Sequence, residues 1–200
     1  MEKIVNALMA AVEIWDPYTA GHQKRVATLS LAIAREMGFD QKQLDIIRIA
    51  AILHDIGKIN LPSELLSKPG KLAECEYNLI KIHPEAGYQI LKKIDFPDEI
   101  ANIVLQHHES LDGSGYPNGL KGDEICIEAR ILHIADVVEA ISANRPYRPS
   151  KGIDAALEEI EDDIEGKYDA NICETCLDLF RYQHFIMKEI QLRDVERASS

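Results

Sequence analysis

Asp40-Gln-Lys-Gln-Leu-Asp-Ile-Ile-Arg-Ile-Ala-Ala-Ile-Leu-His54-Asp55-Ile-Gly-Lys58 is the stretch on which the fold turns. Asp40 stands three residues before Gln43, the spacing of a capping box, and so predicts a helix start. Ile47, Ala50 and Ala51 recur at helical period and form a stripe that must be buried. His54 continues that stripe, Asp55 lies about 100° further round, and Lys58 follows one turn beyond His54 on the same face. The spacing predicts a helix ending near Gly57, with an imidazole, a carboxylate and a cation aimed inward. The flanking sequence supplies other helices with apolar stripes of their own to cover it.

Those stripes flank it on both sides. A first helix is predicted over about Glu2 to Trp15, with Ile4, Leu8 and Val12 on one face. Asp16-Pro17 reads as a cap and first-turn proline for a second helix. That helix carries His22, Val26, Leu29 and Ile33 on one stripe and stops at Gly38. Downstream, Pro62, Lys68-Pro69-Gly70, Pro84 and Pro97 cut the chain into short helices. His83 precedes a proline, which predicts that a helix ends there. Ile100, Ile103 and Val104 form a face that His107 and His108 prolong. Ser110 to Ile125 reads as one long irregular loop, of a length usually functional or disordered. Helices are then expected at about Ile127 to Ala143, with Asp136 in line with Ala129, Leu132 and Ala140, at Ile153 to Ile164, and from Asn171 towards residue 195. Alternating apolar and polar residues are scarce, so the class is all-α.

Composition bounds the function. Two hundred residues, 46% of them hydrophobic, suit one compact domain over residues 1–200, with its motif core at about 16–180. A formal net charge of −12 opposes a nucleic acid polymer or an anionic membrane surface, so any anionic substrate needs bound cations. The apolar runs are too short for a membrane span, and the basic leader of a secreted protein is lacking, which predicts a cytoplasmic protein. The four cysteines are scattered and expected to be reduced.

Histidines and carboxylates carry the chemistry. A lone inward histidine is ordinarily a hydrogen-bonded core residue. Five histidines (His22, His54, His83, His107, His108) and two aspartates (Asp55, Asp136) at inward positions on at least four segments are different. Burying that many polar groups without partners would cost several kcal/mol, and a shared metal centre satisfies them together. Nitrogen and oxygen donors suit Fe or Mn first, with Zn, Ni and Mg as alternatives. Seven donors exceed one tetrahedral site, which favours two divalent ions sharing a carboxylate.

His54-Asp55-Ile-Gly-Lys58, followed by His107-His-Glu-Ser-Leu-Asp-Gly-Ser-Gly-Tyr-Pro117, Ala129-Arg-Ile-Leu-His-Ile-Ala-Asp136 and Arg145-Pro-Tyr-Arg148, resembles the HD-GYP family. This is a branch of the HD phosphohydrolases that degrades the bacterial messenger cyclic di-GMP. The resemblance implies an HD-superfamily bundle of about seven or more helices with a dinuclear metal site in its middle. It further implies that His22, His54, Asp55 and Asp136 surround one ion, that His83, His107 and His108 hold the second, and that Asp55 bridges. Lys58 matches the family lysine that contacts a phosphate oxygen. Gly115, Tyr116 and Pro117, with Arg145 and Arg148, match positions that contact the dinucleotide or shape its pocket.

Three departures from the family pattern bear on the site. Tyr18 stands where members with a third metal carry glutamate, which favours two ions. Ser110 replaces a basic residue found in many members, and His133 replaces a small apolar one and reads as core or as support for the metal-bound residues. Cys173-Glu-Thr-Cys176 is a lone pair with a structural reading. The Asp162, Asp163 and Glu165 run reads as a solvated helix end, and His184 as exposed. Glu109, Asp112 and Glu139 read either as groups orienting the histidines or as loop caps.

The resulting expectation is a metal-dependent phosphodiesterase opening cyclic di-GMP to pGpG and onward to GMP, with hydroxide generated between the ions attacking phosphorus in line. Asp55 and Lys58 would be its catalytic residues. A cyclic dinucleotide-binding module that has lost turnover and an HD hydrolase acting on another nucleotide are the alternatives. Family members are often joined to sensory domains, so input would come from a separate sensory or regulatory protein. Residues after about Phe180 would pack on a second copy in a homodimer.

Overall fold

The computed structural model describes residues 2–16, 21–143, 150–164 and 166–187. Tyr18, Arg145, Arg148 and Glu165 lie outside the described residues. All regular structure among the described residues is helical, and the one β pairing is an isolated bridge between Ile164 and Tyr168. The helices are α1 (Glu2–Trp15), α2 (His22–Glu36), α3 (Gln41–Leu53), α4 (Ser63–Leu66), α5 (Glu74–Ile80), α6 (His83–Leu91), α7 (Asp98–Gln106), α8 (Ile127–Ser142), α9 (Ile153–Asp162) and α10 (Ala170–Arg181). Short 3₁₀ turns follow α3 (Ile56–Asn60) and precede α8 (Gly122–Glu124). The all-α expectation holds.

The capping box predicted at Asp40 is present, with its carboxylate accepting from Gln43 N and its own N–H donating to Gln43 Oε1. Immediately upstream, α2 ends in a Schellman motif. Gly38 takes φ +81°, its N–H donates to Arg35 O, and the N–H of Phe39 reaches back to Ala34 O. This tight reversal lays α2 against α3. The pair packs with α7 and α8, and Val26, Leu29, Ile33, Ile47, Ala50, Ile103, Val104, Ala129 and Leu132 make one continuous buried core. Each large aliphatic side chain buried there contributes about 1.5–3 kcal/mol relative to exposure. Helix α6 lies on the 3₁₀ turn Ile56–Asn60 and on α7, while α1 closes the other side. The Trp15 indole N–H donates to Leu61 O at 3.0 Å and ties the end of α1 to that same turn.

Several boundaries differ from the sequence reading. The buried stripe of α1 is Val5, Met9 and Val12, with Ile4 47% exposed. Residues spaced by four drift about 40° per step round a helix, so 4, 8 and 12 cannot stay on one face as well as 5, 9 and 12 do. Helix α3 stops at Leu53 rather than near Gly57, and Asp55 adopts φ −91°, ψ 4° at the change to 3₁₀ geometry. His83 begins α6 instead of ending a helix, because Pro84 in the first turn has no N–H that needs a partner. Helix α2 begins at His22 with Gly21 as its cap, and residues 17–20, where a helix start was predicted, lie outside the described residues. Helix α9 ends at Asp162 and α10 at Arg181. Residues 182–187 are not helical, which corrects the terminal helix predicted towards residue 195 as far as the described residues go.

Candidate metal centre

Most of the histidines stand where helices begin or end. His22 opens α2, His54 caps the C-terminus of α3, His83 opens α6, and His107 caps the C-terminus of α7 with His108 following. Asp136 projects from the middle of α8. Helix ends leave carbonyls without intrahelical partners, and three of the histidines use them in the same way. His54 Nδ1 bonds Ala51 O at 2.7 Å, His83 Nδ1 bonds Ile80 O at 2.8 Å, and His107 Nδ1 bonds Val104 O at 2.6 Å. A carbonyl only accepts, so each Nδ1 carries the proton and each Nε2 presents a lone pair.

Those lone pairs converge. His83 Nε2 and His107 Nε2 stand 3.2 Å apart with no proton available to either for a mutual hydrogen bond. His54 Nε2 is fully buried with no hydrogen-bond partner among the described residues. The donor atoms of His83, His107 and His108 lie within 4.8 Å of one another, as do those of His22, His54 and Asp136, and those of His54, Asp55 and His107. Asp55 turns its two oxygens different ways, with Oδ2 3.4 Å from His54 Nε2 and 3.8 Å from His22 Nε2, and Oδ1 3.5 Å from His83 Nε2. Facing, unprotonated nitrogens in a buried site are unfavourable without a cation between them, and the donor set fits a divalent metal. The structure thus brings all seven predicted donors together.

Local electrostatics agree with that use. Burial, reinforced by neighbouring imidazoles, pushes His107 and His108 well below the usual histidine range, and burial takes His83 down to about 4. These rings are neutral and ready to donate lone pairs. Burial opposes charge on Asp55 and Asp136, but Lys58 and the histidines around Asp55, and His22 beside Asp136, hold both carboxyls well below their ordinary value. His22 behaves oppositely: burial alone would lower it, yet hydrogen bonds to Asp136 and Glu139 raise it to about 9. Lys58 donates to Asp55 Oδ2 at 2.8 Å. Burial weighs against its charge, but Asp55, with Asp16 and Asp136 further off, raises its pKa.

Glu139 is the residue whose role the sequence left open and the structure decides. It is 1% exposed, accepts from His22 Nδ1, and receives Arg25 Nε at 2.8 Å. A carboxylate on the far nitrogen fixes the tautomer so that Nε2 faces the cluster. The signal was available, since Asp136 and Glu139 are three apart and share a helix face. Asp16, read from sequence as a helix cap, is buried and close enough to act on Lys58, while the residues it would cap lie outside the described ones. His133 bonds His107 O through Nδ1 at 2.9 Å, a supporting position. Cys173 and Cys176 are buried in α10, Cys75 and Cys126 are likewise unpaired thiols, and His184 is exposed.

The glycine-rich loop closes one side. The Tyr116 N–H donates to His108 O at 3.0 Å, its ring lies 4.8 Å from the His108 ring, and the Tyr116–Pro117 peptide is cis. Gly115 is required by contact, because a Cβ there would sit 2.4 Å from Ser110 N. Glu109 is 2% exposed and clamps the loop, its two oxygens accepting from Asn118 N at 2.7 Å and Leu120 N at 3.0 Å. Asp112 caps the turn through Ser114 N. Glu109→Gln replaces one accepting oxygen by an amide nitrogen that cannot accept, and is expected to cost about 2 kcal/mol in urea denaturation. An unchanged midpoint and slope would show that this clamp does not hold the loop.

Fold and cluster together define an all-helical bundle built round a buried cluster of histidines and aspartates that could hold metal ions. The HD-domain profile matches residues 6–172. A 3′3′-cGAMP-specific phosphodiesterase of Vibrio cholerae is 42% identical over 169 residues, 84% of this chain and 37% of the relative. The cyclic di-GMP phosphodiesterase response regulator RpfG of Xanthomonas campestris is 43% identical over 155 residues, 76% of this chain and 41% of that protein. Among solved structures, Bd1817, an HDG"Y"P protein from Bdellovibrio bacteriovorus, superposes with a TM-score of 0.66 at 25% identity, covering 80% of this chain and 51% of that one. The chain belongs to the HD-domain family, in its HD-GYP branch. It spans about two-fifths of the length of these curated relatives. No helix among the described residues is long and apolar enough to cross a membrane.

Proposed function

We propose that the chain is one HD-GYP unit acting as a metal-dependent phosphodiesterase that opens cyclic di-GMP to pGpG and onward to GMP. In this reading His22, His54 and Asp136 hold one divalent ion, His83, His107 and His108 hold a second, and Asp55 serves both. Fe or Mn are the expected metals. The observation that carries it is the orientation of Asp55, whose two oxygens face different histidine groups at 3.4 and 3.5 Å. The relatives named as cyclic dinucleotide phosphodiesterases support the substrate class.

Bound in this cluster, a pair of divalent ions would supply a nucleophile from water near neutral pH and Lewis acidity at the phosphoryl oxygens. The chain's own groups do the rest. Lys58 stands beside Asp55 and presents a fixed positive charge to a phosphoryl oxygen, stabilising charge that builds up on it. Glu139 keeps the His22 Nε2 lone pair inward. Tyr116, half-buried and held a neutral phenol because burial raises its pKa, stacks beside His108 and offers an aromatic wall to a nucleobase. Arg145 and Arg148, matched by motif as dinucleotide contacts, lie outside the described residues.

The test is turnover by purified protein of measured Mn or Fe content, with cyclic di-GMP and 3′3′-cGAMP as substrates and products separated by chromatography. Cyclic di-GMP should yield pGpG, then GMP. Metal-containing protein that leaves both dinucleotides intact, aerobically and anaerobically, would refute the proposal. Preferential cleavage of 3′3′-cGAMP would reassign the substrate.

Metal loading should also depend on pH. In the metal-free protein His22 keeps its proton up to about 9 and must release it before Nε2 can coordinate. Affinity should therefore rise with pH, by about tenfold per unit for this proton, and level off above the His22 pKa. Calorimetric titration of Mn²⁺ into apoprotein at pH 7, 8 and 9 checks this. A flat profile over that range would exclude a proton on His22.

A further inference from the structure

A second lysine stands near the cluster, on the Tyr116 side. Lys81 caps the C-terminus of α5 and is half-buried. Its ammonium sits 4.7 Å from the centre of the Tyr77 ring and 5.5 Å from that of Tyr116, the ring stacked on His108. Lys58, on the other side, is paired with Asp55, whereas Lys81 has no carboxylate within ion-pair distance among the described residues. A chain of net charge −12 has carboxylates to spare, yet this ammonium is held between two phenol rings instead.

We infer that Lys81 is a specificity-determining residue that binds the non-scissile phosphate of a cyclic dinucleotide. The inference rests on the phosphodiesterase reading above. A cyclic dinucleotide carries two phosphodiesters in one ring. The metal cluster and Lys58 serve the one that is cleaved, and the other enters the site as an anion to which none of the described residues has yet been assigned. Lysine is a compact charge with three donors, suited to a phosphate oxygen, and two aromatic faces hold it in place without neutralising it. Tyr77, one turn before Lys81 at the end of α5, supplies the nearer of the two ring faces.

The experiment compares a substrate with two phosphates and a substrate with one. Wild-type, Lys81→Gln and Lys81→Arg proteins of equal metal content are assayed on cyclic di-GMP and on bis(p-nitrophenyl) phosphate. Lys81→Gln should lower kcat/KM for cyclic di-GMP roughly 10- to 100-fold through KM, the range of a charge-assisted hydrogen bond, with kcat within about twofold. Activity on bis(p-nitrophenyl) phosphate should be unchanged, and Lys81→Arg should recover most of the cyclic di-GMP activity. Equal losses on both substrates would assign Lys81 a structural role and overturn the inference, as would no loss on either. Failure of the underlying reading registers separately, as wild-type protein that cleaves bis(p-nitrophenyl) phosphate but no cyclic dinucleotide.

Discussion

Asp55→Asn is expected to lower cyclic di-GMP turnover by at least about 1,000-fold while leaving the helical fold intact. Asparagine matches the size of aspartate but carries no charge and presents an amide nitrogen where one carboxylate oxygen stood. Under the proposed assignment both oxygens are needed, Oδ2 on the side of His54 and His22 and Oδ1 on the side of His83. Losing one donor and the charge weakens both halves of the centre and frees Lys58 from its partner at 2.8 Å. A loss of about 4 kcal/mol in transition-state stabilisation corresponds to the factor given. Metal content by elemental analysis should fall with activity, and circular dichroism should match wild type. An Asp55→Asn protein that keeps full metal content and more than a tenth of wild-type turnover would remove Asp55 from the site.

Gly57→Ala acts on the same site through packing alone. The 3₁₀ turn carrying Gly57 is pressed against α6 so closely that a Cβ would meet His83 O at 1.9 Å, Gly87 N at 2.5 Å and His83 C at 2.9 Å. All three atoms are backbone, so no side chain can swing away. A Cβ added at Gly87 would in turn meet the Val104 and Ile56 side chains at 3.0 and 3.3 Å, so α6 has little room for a compensating slide. One methyl group is therefore expected to cost about 3 kcal/mol or more, at the upper end for overpacked cores. It should also displace His83 from Asp55 and impair metal loading. Urea denaturation with parallel metal analysis gives the answer, and a wild-type midpoint with wild-type metal content would show that the two elements can part without cost. Gly57 stood in plain view inside His54-Asp55-Ile-Gly-Lys58, but only the packed pair explains why no larger residue fits.

The legible and illegible parts of this protein divide along physical lines. Helical stripes such as Val26, Leu29 and Ile33 are visible because apolar periodicity and burial are the same fact stated twice. The Asp40 cap and the Gly38 stop are visible because they are local, formed by residues within a turn of each other. On α1 the sequence reading agrees with the buried stripe at Val12 but differs from it at Val5 and Met9, since several apolar residues on that helix compete for the inner face and only α3 and the 3₁₀ turn decide among them. Glu139 was ambiguous for a similar reason: a carboxylate one turn after Asp136 is a support for His22 only when α2 lies against α8.

By itself, the sequence determined the all-helical class, the inward placement of the seven donors and the motifs that identify the family, because each depends on residue type and short-range spacing. Only the tertiary structure decided which nitrogens face one another, that Nδ1 of His54, His83 and His107 is committed to a carbonyl, and that Asp55 points its oxygens two ways. Those facts arise from helix ends meeting across long stretches of chain, and the angle at which two helix ends meet is set by the packing of the whole core rather than by any residue near the site.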